Sequence, residues 1–452
     1  MDIHTFLYNL HYDPGKAITS SYKIEDTIHR NNEGFFKGEG IDCLKCNNYL
    51  LKAIVNSYGD LYFNRIQSDN TPLIFLRKLT PSGGGLYPIN LFLLLEYKGN
   101  NVLWQFDFKR NILIYITTVD SSQNINPPLI ILVPCYTRNF FKYKEFSYRL
   151  CPIDAGYLTT TLSYNLLLNN IDHKINIDNN SLKKTESLLK QIGIKEKPLA
   201  TIKFSEKNIL DNINCEDFDR FKGYHFFNEV QKFNDIDKLI EKNTFPKLEM
   251  QKEMFNNLQK GNFLFSNRIS PGGEFIQNSF VKFKDIAALF SNLYLVLSKI
   301  PIDSQIFKIS LIDTSNSNQY VYNHEPKLHF QKKVNVSYIN QQLTRQNFDL
   351  QTTPFILHIG INETYLKENF SKTPFKLSRF LGGQISALIS LLGLKENLYF
   401  HPMMSYNSLN LESYLFDNKY IIINQIAIGK KTVLNRLESS INTNLIGEVS
   451  EN

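Results

Sequence analysis

Apolar and polar positions fall in blocks that favour short strands, hairpins and a few helices. Residues 1 to about 60 read as mostly helical, with an apolar face at helical spacing over 46–55. The continuous apolar run 89–95 reads as a buried strand. Residues 102–108 and 112–116, split by Lys109-Arg110-Asn111, read as a β-hairpin. Pro127-Pro128 introduces a second buried strand over 129–133. Asp154-Ala155-Gly156 opens a helix through Leu162, Leu166 and Leu167. Ile192-Gly193-Ile194 and residues 198–202 then supply a turn and a strand.

The same order returns later. Residues 319–322, a turn at 323–326 and residues 327–330 make a second hairpin, and 354–359 a second buried strand. Leu381-Gly382-Gly383 opens a second helix, Leu392-Gly393-Leu394 mirrors the earlier turn, and 421–428 is the closing strand. The distance from Pro127 to Gly156 equals that from Pro354 to Gly383. Five elements in one order predict two copies of an α+β domain, each a mostly antiparallel sheet flanked by helices. The expected boundaries are 1–205 for the first copy, 206–245 for a polar linker and 246–452 for the second.

Composition fits this picture. The 452 residues are 42% hydrophobic and 13% aromatic, enough for two folded cores. A net charge of +7 over this length does not argue for nucleic acid. No stretch reads as approaching the roughly 18 apolar residues of a membrane span. Met1-Asp2-Ile3-His4 lacks a signal peptide's regions, so the expectation is a cytoplasmic protein without membrane or nucleic-acid partners. Five cysteines give no disulfide framework. Cys43 and Cys46 have the spacing of half a zinc site with no second half in the sequence, and no metal is expected.

The two halves carry different chemistry. The first holds Pro81-Ser82-Gly83-Gly84-Gly85-Leu86-Tyr87-Pro88 directly before a strand. Glycine there permits positive φ and leaves no Cβ against a flat ligand. No Gly-Lys-Ser/Thr follows, which excludes a phosphate loop, and no preceding strand makes it a dinucleotide fingerprint. The second half holds Arg268-Ile269-Ser270 ahead of a helix that includes Ile286, Leu289 and Leu293, and ends on Gly429-Lys430-Lys431. A guanidinium, a hydroxyl and two ammonium groups near a helix start suit a phosphate.

Arg-x-Ser at a first helix, a Pro-Ser loop before a strand and a terminal Gly-Lys/Arg resemble the nitroreductase fold. In that family FMN lies between two subunits, one binding its phosphate and the other facing its ring. The resemblance implies an intramolecular pseudo-dimer of tandem nitroreductase-like domains with one flavin site. Arg268, Ser270, Lys430 and Lys431 would take the phosphate; Pro81, Ser82, Gly83 and Gly84 would take the ring. Within the fold, the loop is similar to that of SagB/McbC-type dehydrogenases, which oxidise thiazolines and oxazolines to thiazoles and oxazoles in ribosomally made peptides. That branch carries an adjacent Lys-Tyr pair, matched here by Lys142-Tyr143, which the resemblance makes the catalytic residues. Where the branch often has His after the helix glycine, this chain has Tyr157.

The implied activity is an FMN-dependent azoline dehydrogenase acting on a precursor peptide, with a YcaO-type cyclodehydratase complex as partner. Two other readings stay open. One is another flavin reaction on the same fold, an NAD(P)H-dependent nitro- or enone reductase or a dehydroamino-acid reductase. The other is a non-catalytic scaffold of a peptide-modifying complex.

Overall fold

Hydrophobic runs that recur in one order along the chain build sheets that recur in one strand order. The structure, a computed structural model, describes residues 3–13, 34–36, 38–60, 62–67, 72–120, 125–204, 219–221, 233, 236–237, 278–300, 302–344, 348–371, 373–430 and 436–440. The chain divides into an earlier unit, residues 18–253 with 437–452, and a later unit, residues 1–17 with 254–436.

The helix α1 (Ile3–Tyr12) belongs to the later unit. It buries Leu7 and Leu10, and His11 bonds Glu412 at 2.6 Å while the Tyr12 hydroxyl donates to the same carboxyl at 3.0 Å. The first seventeen residues therefore group with the second copy of the domain, a pairing that sequence order does not suggest.

The earlier unit runs β1 (Gly38–Asp42), α2 (Tyr49–Tyr58), β2 (Tyr62–Gln67), β3 (Pro72–Arg77), β4 (Ile89–Tyr97), β5 (Asn100–Asp107), β6 (Ile112–Thr118), β7 (Leu129–Pro134), α3 (Tyr136–Tyr143), α4 (Ser147–Leu168), β8 (His173–Asn176), α5 (Asn179–Gln191), β9 (Ala200–Phe204) and β10 (Asp219–Phe221). Its main sheet has the order β10-β1-β6-β5-β4-β7-β9-β8, antiparallel throughout. The hairpin expected around Lys109-Arg110-Asn111 closes in register, Asp107 opposite Ile112. Phe92 and Leu94 pack with Leu188 and Leu189 of α5 on one face. At about 1.5–3 kcal/mol per fully buried side chain, contacts of this kind decide which face each strand turns inward.

The later unit runs α6 (Phe283–Leu297), β11 (Phe307–Asp313), β12 (Asn318–Tyr322), β13 (His329–Lys333), α7 (Val336–Gln341), β14 (Phe355–Ile361), α8 (Glu363–Asn369), α9 (Phe375–Gly393), β15 (Tyr399–Met403), α10 (Ser408–Phe416) and β16 (Ile421–Gly429). Its sheet order is β13-β12-β11-β14-β16-β15, again antiparallel. Strand for strand this repeats β6-β5-β4-β7-β9-β8. Leu411 and Leu415 of α10 cover Ile312, Ile356 and Ile422 as α5 covers its own sheet. The tandem α+β architecture is thus present in the topology itself.

Several expectations change in detail. The helix placed at Asp154 begins at Ser147, and the one placed at Leu381 begins at Phe375. Every residue of α4 from Ser147 to Leu167 is buried, so it has no polar face to betray its first two turns. Its interior Pro152, a residue that usually marks a helix start, hides them further. Helix α9 with its following turn, Phe375–Glu396, is long and apolar enough to cross a membrane, contrary to the expectation of no such stretch, yet its apolar stretch from Leu377 to Leu394 is buried in the fold. Gly193 is a left-handed turn after α5 (φ 84°), whereas Gly393 is the last helical residue of α9, so the two are not equivalent. The stretch expected as a linker contributes to the earlier unit: β10 pairs with β1, and Phe233 packs on Tyr136, Phe140 and Tyr148. The Tyr148 hydroxyl donates to Asp237 at 2.6 Å.

Candidate active site

The glycine loop is fastened at both ends before it reaches any ligand. At its entrance Thr80 Oγ1 donates to the Ser57 carbonyl (2.7 Å) at the end of α2. Lys78, just upstream, is buried in an ion pair with Asp60, its ammonium 4.7 Å from the Tyr87 ring. At its exit Arg138 of α3 lies between Phe35 and Phe108 and donates to the Tyr87 carbonyl (2.5 Å) and Asn90 Oδ1 (2.7 Å). The Tyr58 hydroxyl donates to the Ile89 carbonyl at 3.0 Å. The Arg138 and Tyr58 contacts hold backbone carbonyls at the loop's exit, and the Thr80 and Lys78 side chains anchor its entrance, so the loop's path is set by the core.

Inside the loop, Gly83–Gly85 form a single 3₁₀ turn with Gly84 at φ 65° and Gly85 at φ 68°. Tyr87, a residue with a full side chain, is also left-handed, at φ 49°. The Ser82 hydroxyl donates to Asp154 Oδ2 (2.6 Å) and accepts the Tyr87 N–H (2.8 Å). The Gly83 N–H donates to the same carboxyl at 3.2 Å. Asp154 sits on α4 and is 4% exposed. Burial pushes its carboxyl up to about 7, against the pull of the Ser82 and Gly83 donors.

Lys142 and Tyr143 end α3, one turn beyond Arg138 on that helix. They stand over Gly84: a Cβ built there would lie 2.9 Å from Lys142 Nζ and run into the Tyr143 hydroxyl. The Lys142 ammonium is 5.3 Å from the Tyr143 ring centre. Directly after them Lys144 has φ 46° and ψ −132°, a region glycine favours. Two strained non-glycine residues, Tyr87 and Lys144, therefore flank the Gly84 face. Gly84 is exposed and Ser82, Gly83, Lys142 and Tyr143 are half-buried, while Pro81 is buried. The loop and the Lys-Tyr pair, picked out separately in the sequence, form one face in space.

Sequence reasoning missed Asp154 and Arg138. Neither belongs to a motif, and Asp154 meets Ser82 across 72 residues of sequence. The Ser82 hydroxyl, expected to face a cofactor, is engaged by Asp154 of α4 and the Tyr87 N–H, leaving backbone and the Lys142 and Tyr143 heads on the exposed side. The Tyr143 hydroxyl and the Lys142 ammonium take the space a Gly84 Cβ would fill, and with the exposed loop backbone they offer donors to a flat ring that carries carbonyl acceptors, as a flavin does.

The expected phosphate residues fare differently. Arg268, Ser270 and Lys431 lie outside the described residues. The helix expected after Arg268 and Ser270 is α6, which buries Ile286, Leu289 and Leu293 and has no side-chain cap at Lys282. Lys430 is at that end: its N–H donates to Ser279 Oγ (2.9 Å) and its ammonium to Asp285 Oδ2 (3.1 Å). Among the described residues no group of three or more His, Cys, Asp or Glu side chains is placed to hold a metal, and Cys43 and Cys46 are not in a disulfide.

Comparison with solved structures gives the fold. The chain aligns over 95% of its length with 99% of a protein from Anabaena variabilis described as a nitroreductase, at 13% identity and a TM-score of 0.71. At that identity the shared feature is the nitroreductase-like fold. Weaker alignments exist to the E. coli microcin synthetase McbBCD complex with truncated pro-MccB17 bound (18% identity, 42% of this chain, 75% of that chain, TM-score 0.27). Another is to a protein from Ralstonia eutropha described as a nitroreductase (13% identity, 38% and 82%, TM-score 0.30). At those scores neither bears on the site. No family model and no curated protein matches the chain.

Proposed function

We propose that this chain, which has the nitroreductase-like fold, is an FMN-dependent dehydrogenase that converts thiazolines or oxazolines in a ribosomally made peptide to thiazoles or oxazoles. The observation that carries the reading is the meeting of Lys142 and Tyr143 over Gly84. Aromatising an azoline removes a proton from Cα and a hydride from Cβ. FMN, when bound, supplies the hydride acceptor. The protein must supply a flat seat and a proton acceptor. The backbone around Gly84 is the seat, Lys142 takes the Cα proton, and the Tyr143 hydroxyl orients the ring being oxidised.

Arg268, Ser270, Lys430 and Lys431 are proposed to hold the phosphate, which gives one FMN per chain rather than two. The open cap of α6 and the place of Lys430 beside it support this. The expected substrate is a precursor peptide already cyclised by a YcaO-type partner, in the cytoplasm.

The test is direct. Purified protein should be yellow, release FMN at one per chain, and remove two hydrogens per ring from a preformed azoline peptide, read by mass spectrometry. Lys142→Ala and Tyr143→Phe should keep the FMN and lose most of the oxidation. Steady NAD(P)H turnover without peptide would favour a reductase on the same fold. A colourless protein that cannot be reconstituted would favour a scaffold.

A further inference from the structure

Asp154 is the one described carboxyl bonded to the glycine loop, and it reaches it from the most enclosed helix of the earlier unit. We propose that Asp154 is the positioning residue of the candidate site: it holds Ser82 and Gly83 so that Gly84 stays beneath Lys142 and Tyr143. The inference rests on the proposed function only in taking that face as the reacting one.

Three observations support it. The carboxyl engages both a side chain and a backbone donor of the loop, from an element that is buried on every side and has little freedom to follow the loop if it moves. Ser82 relays the constraint, since the same hydroxyl accepts the N–H of Tyr87, whose left-handed backbone needs an external hold. Burial raises the carboxyl, and the Ser82 and Gly83 donors oppose it. Tyr58 faces it from α2, its phenol kept neutral by burial first, with Asp154 adding to that and Arg138 opposing it.

The geometry has a pH consequence. Burial holds the carboxyl protonated to about pH 7 while the loop is seated. Lifting the loop admits water and returns the group to the ordinary carboxylate range. The seated form thus keeps a proton that the lifted form releases. Seating is favoured below about pH 7 and weakens as pH rises through it.

Hydrogen–deuterium exchange on peptides spanning 82–88, corrected for the intrinsic rate, tests this without any turnover. Between about pH 5.5 and about pH 8.5 the wild-type protein should lose about thirtyfold in protection. Asp154→Asn should be less protected at the acid end and nearly independent of pH. Ser82→Ala, which leaves α4 untouched, should expose the Tyr87 amide at every pH and carries the test if the Asn variant does not fold. The double variant should be looser than either single one by less than the sum of their effects, because both remove the Ser82–Asp154 contact. Wild-type protection that is flat or rising with pH, or an Asn variant with wild-type behaviour, overturns the proposal. Unchanged kcat and KM in Asp154→Asn would also overturn it and leave the proposed activity standing. The expected exchange pattern in a protein that oxidises no azoline would do the reverse.

Discussion

Replacing Gly84 with alanine separates two costs that usually arrive together. The first is backbone strain. At φ 65° an L-residue is in the left-handed region, which costs roughly 1–2 kcal/mol. The second is steric, since the new Cβ would be 2.9 Å from Lys142 Nζ and against the Tyr143 hydroxyl. Both obstacles are the ends of flexible side chains, so they can swing aside for about 1 kcal/mol or less rather than the larger cost of a clash with a packed core. Gly99 provides the control. It has φ 76° with nothing within 4 Å of where a Cβ would sit, so Gly99→Ala reports strain alone. Urea titrations of the two variants should agree within about 1 kcal/mol, each destabilised by roughly 1–2 kcal/mol. Oxidation of a preformed azoline peptide should fall at least about tenfold in Gly84→Ala only, because its Lys142 and Tyr143 no longer meet over the loop. Wild-type turnover in Gly84→Ala would mean the chemistry is not at this face. A stability loss exceeding the control by more than about 3 kcal/mol would mean the pair cannot move, and the flexible-end argument would fail.

Two further predictions concern stability. Lys144→Gly should raise the urea midpoint, worth about 1 kcal/mol, by relieving the φ 46°, ψ −132° backbone after Lys142 and Tyr143; a lower midpoint would show that the strain is not there. His358 is buried in β14 with its Nε2 2.9 Å from Gln425, and burial pulls its imidazole down to about 4. The unfolded chain takes up a proton near pH 6.5 that the folded one refuses. Stability is therefore full above about pH 6.5 and falls by about 3 kcal/mol as pH drops towards 4. His358→Gln should flatten that part of the pH–stability curve, and an unchanged slope would place the titration elsewhere.

What was legible in the sequence follows the physics of each feature. Hairpins and buried strands announce themselves through local apolar runs and polar turns, and the repeat through their order. The glycine loop and the Lys142-Tyr143 pair are visible because each is a contiguous motif. Their meeting over Gly84 is not, because it depends on how α3 leaves β7 and on Arg138 pinning it to Tyr87 and Asn90. Asp154 could not be singled out, since a carboxyl next to a helix glycine has no signature until its partner 72 residues away is known. The starts of α4 and α9 were lost for the opposite reason: helices buried on all sides lack the polar stripe that dates their first turn.

The doubled strand order has a consequence for how such a chain can change. In a protein assembled from two identical subunits, any substitution is made twice, and a loop that suits one role must be tolerated in the other. Here β6-β5-β4-β7-β9-β8 and β13-β12-β11-β14-β16-β15 are encoded separately. The earlier copy is free to keep Pro81–Gly85 and Asp154, and the later copy is free to have neither. The two copies can drift apart in sequence as long as each keeps its own sheet closed, and a variant library can probe one role at a time without disturbing the other.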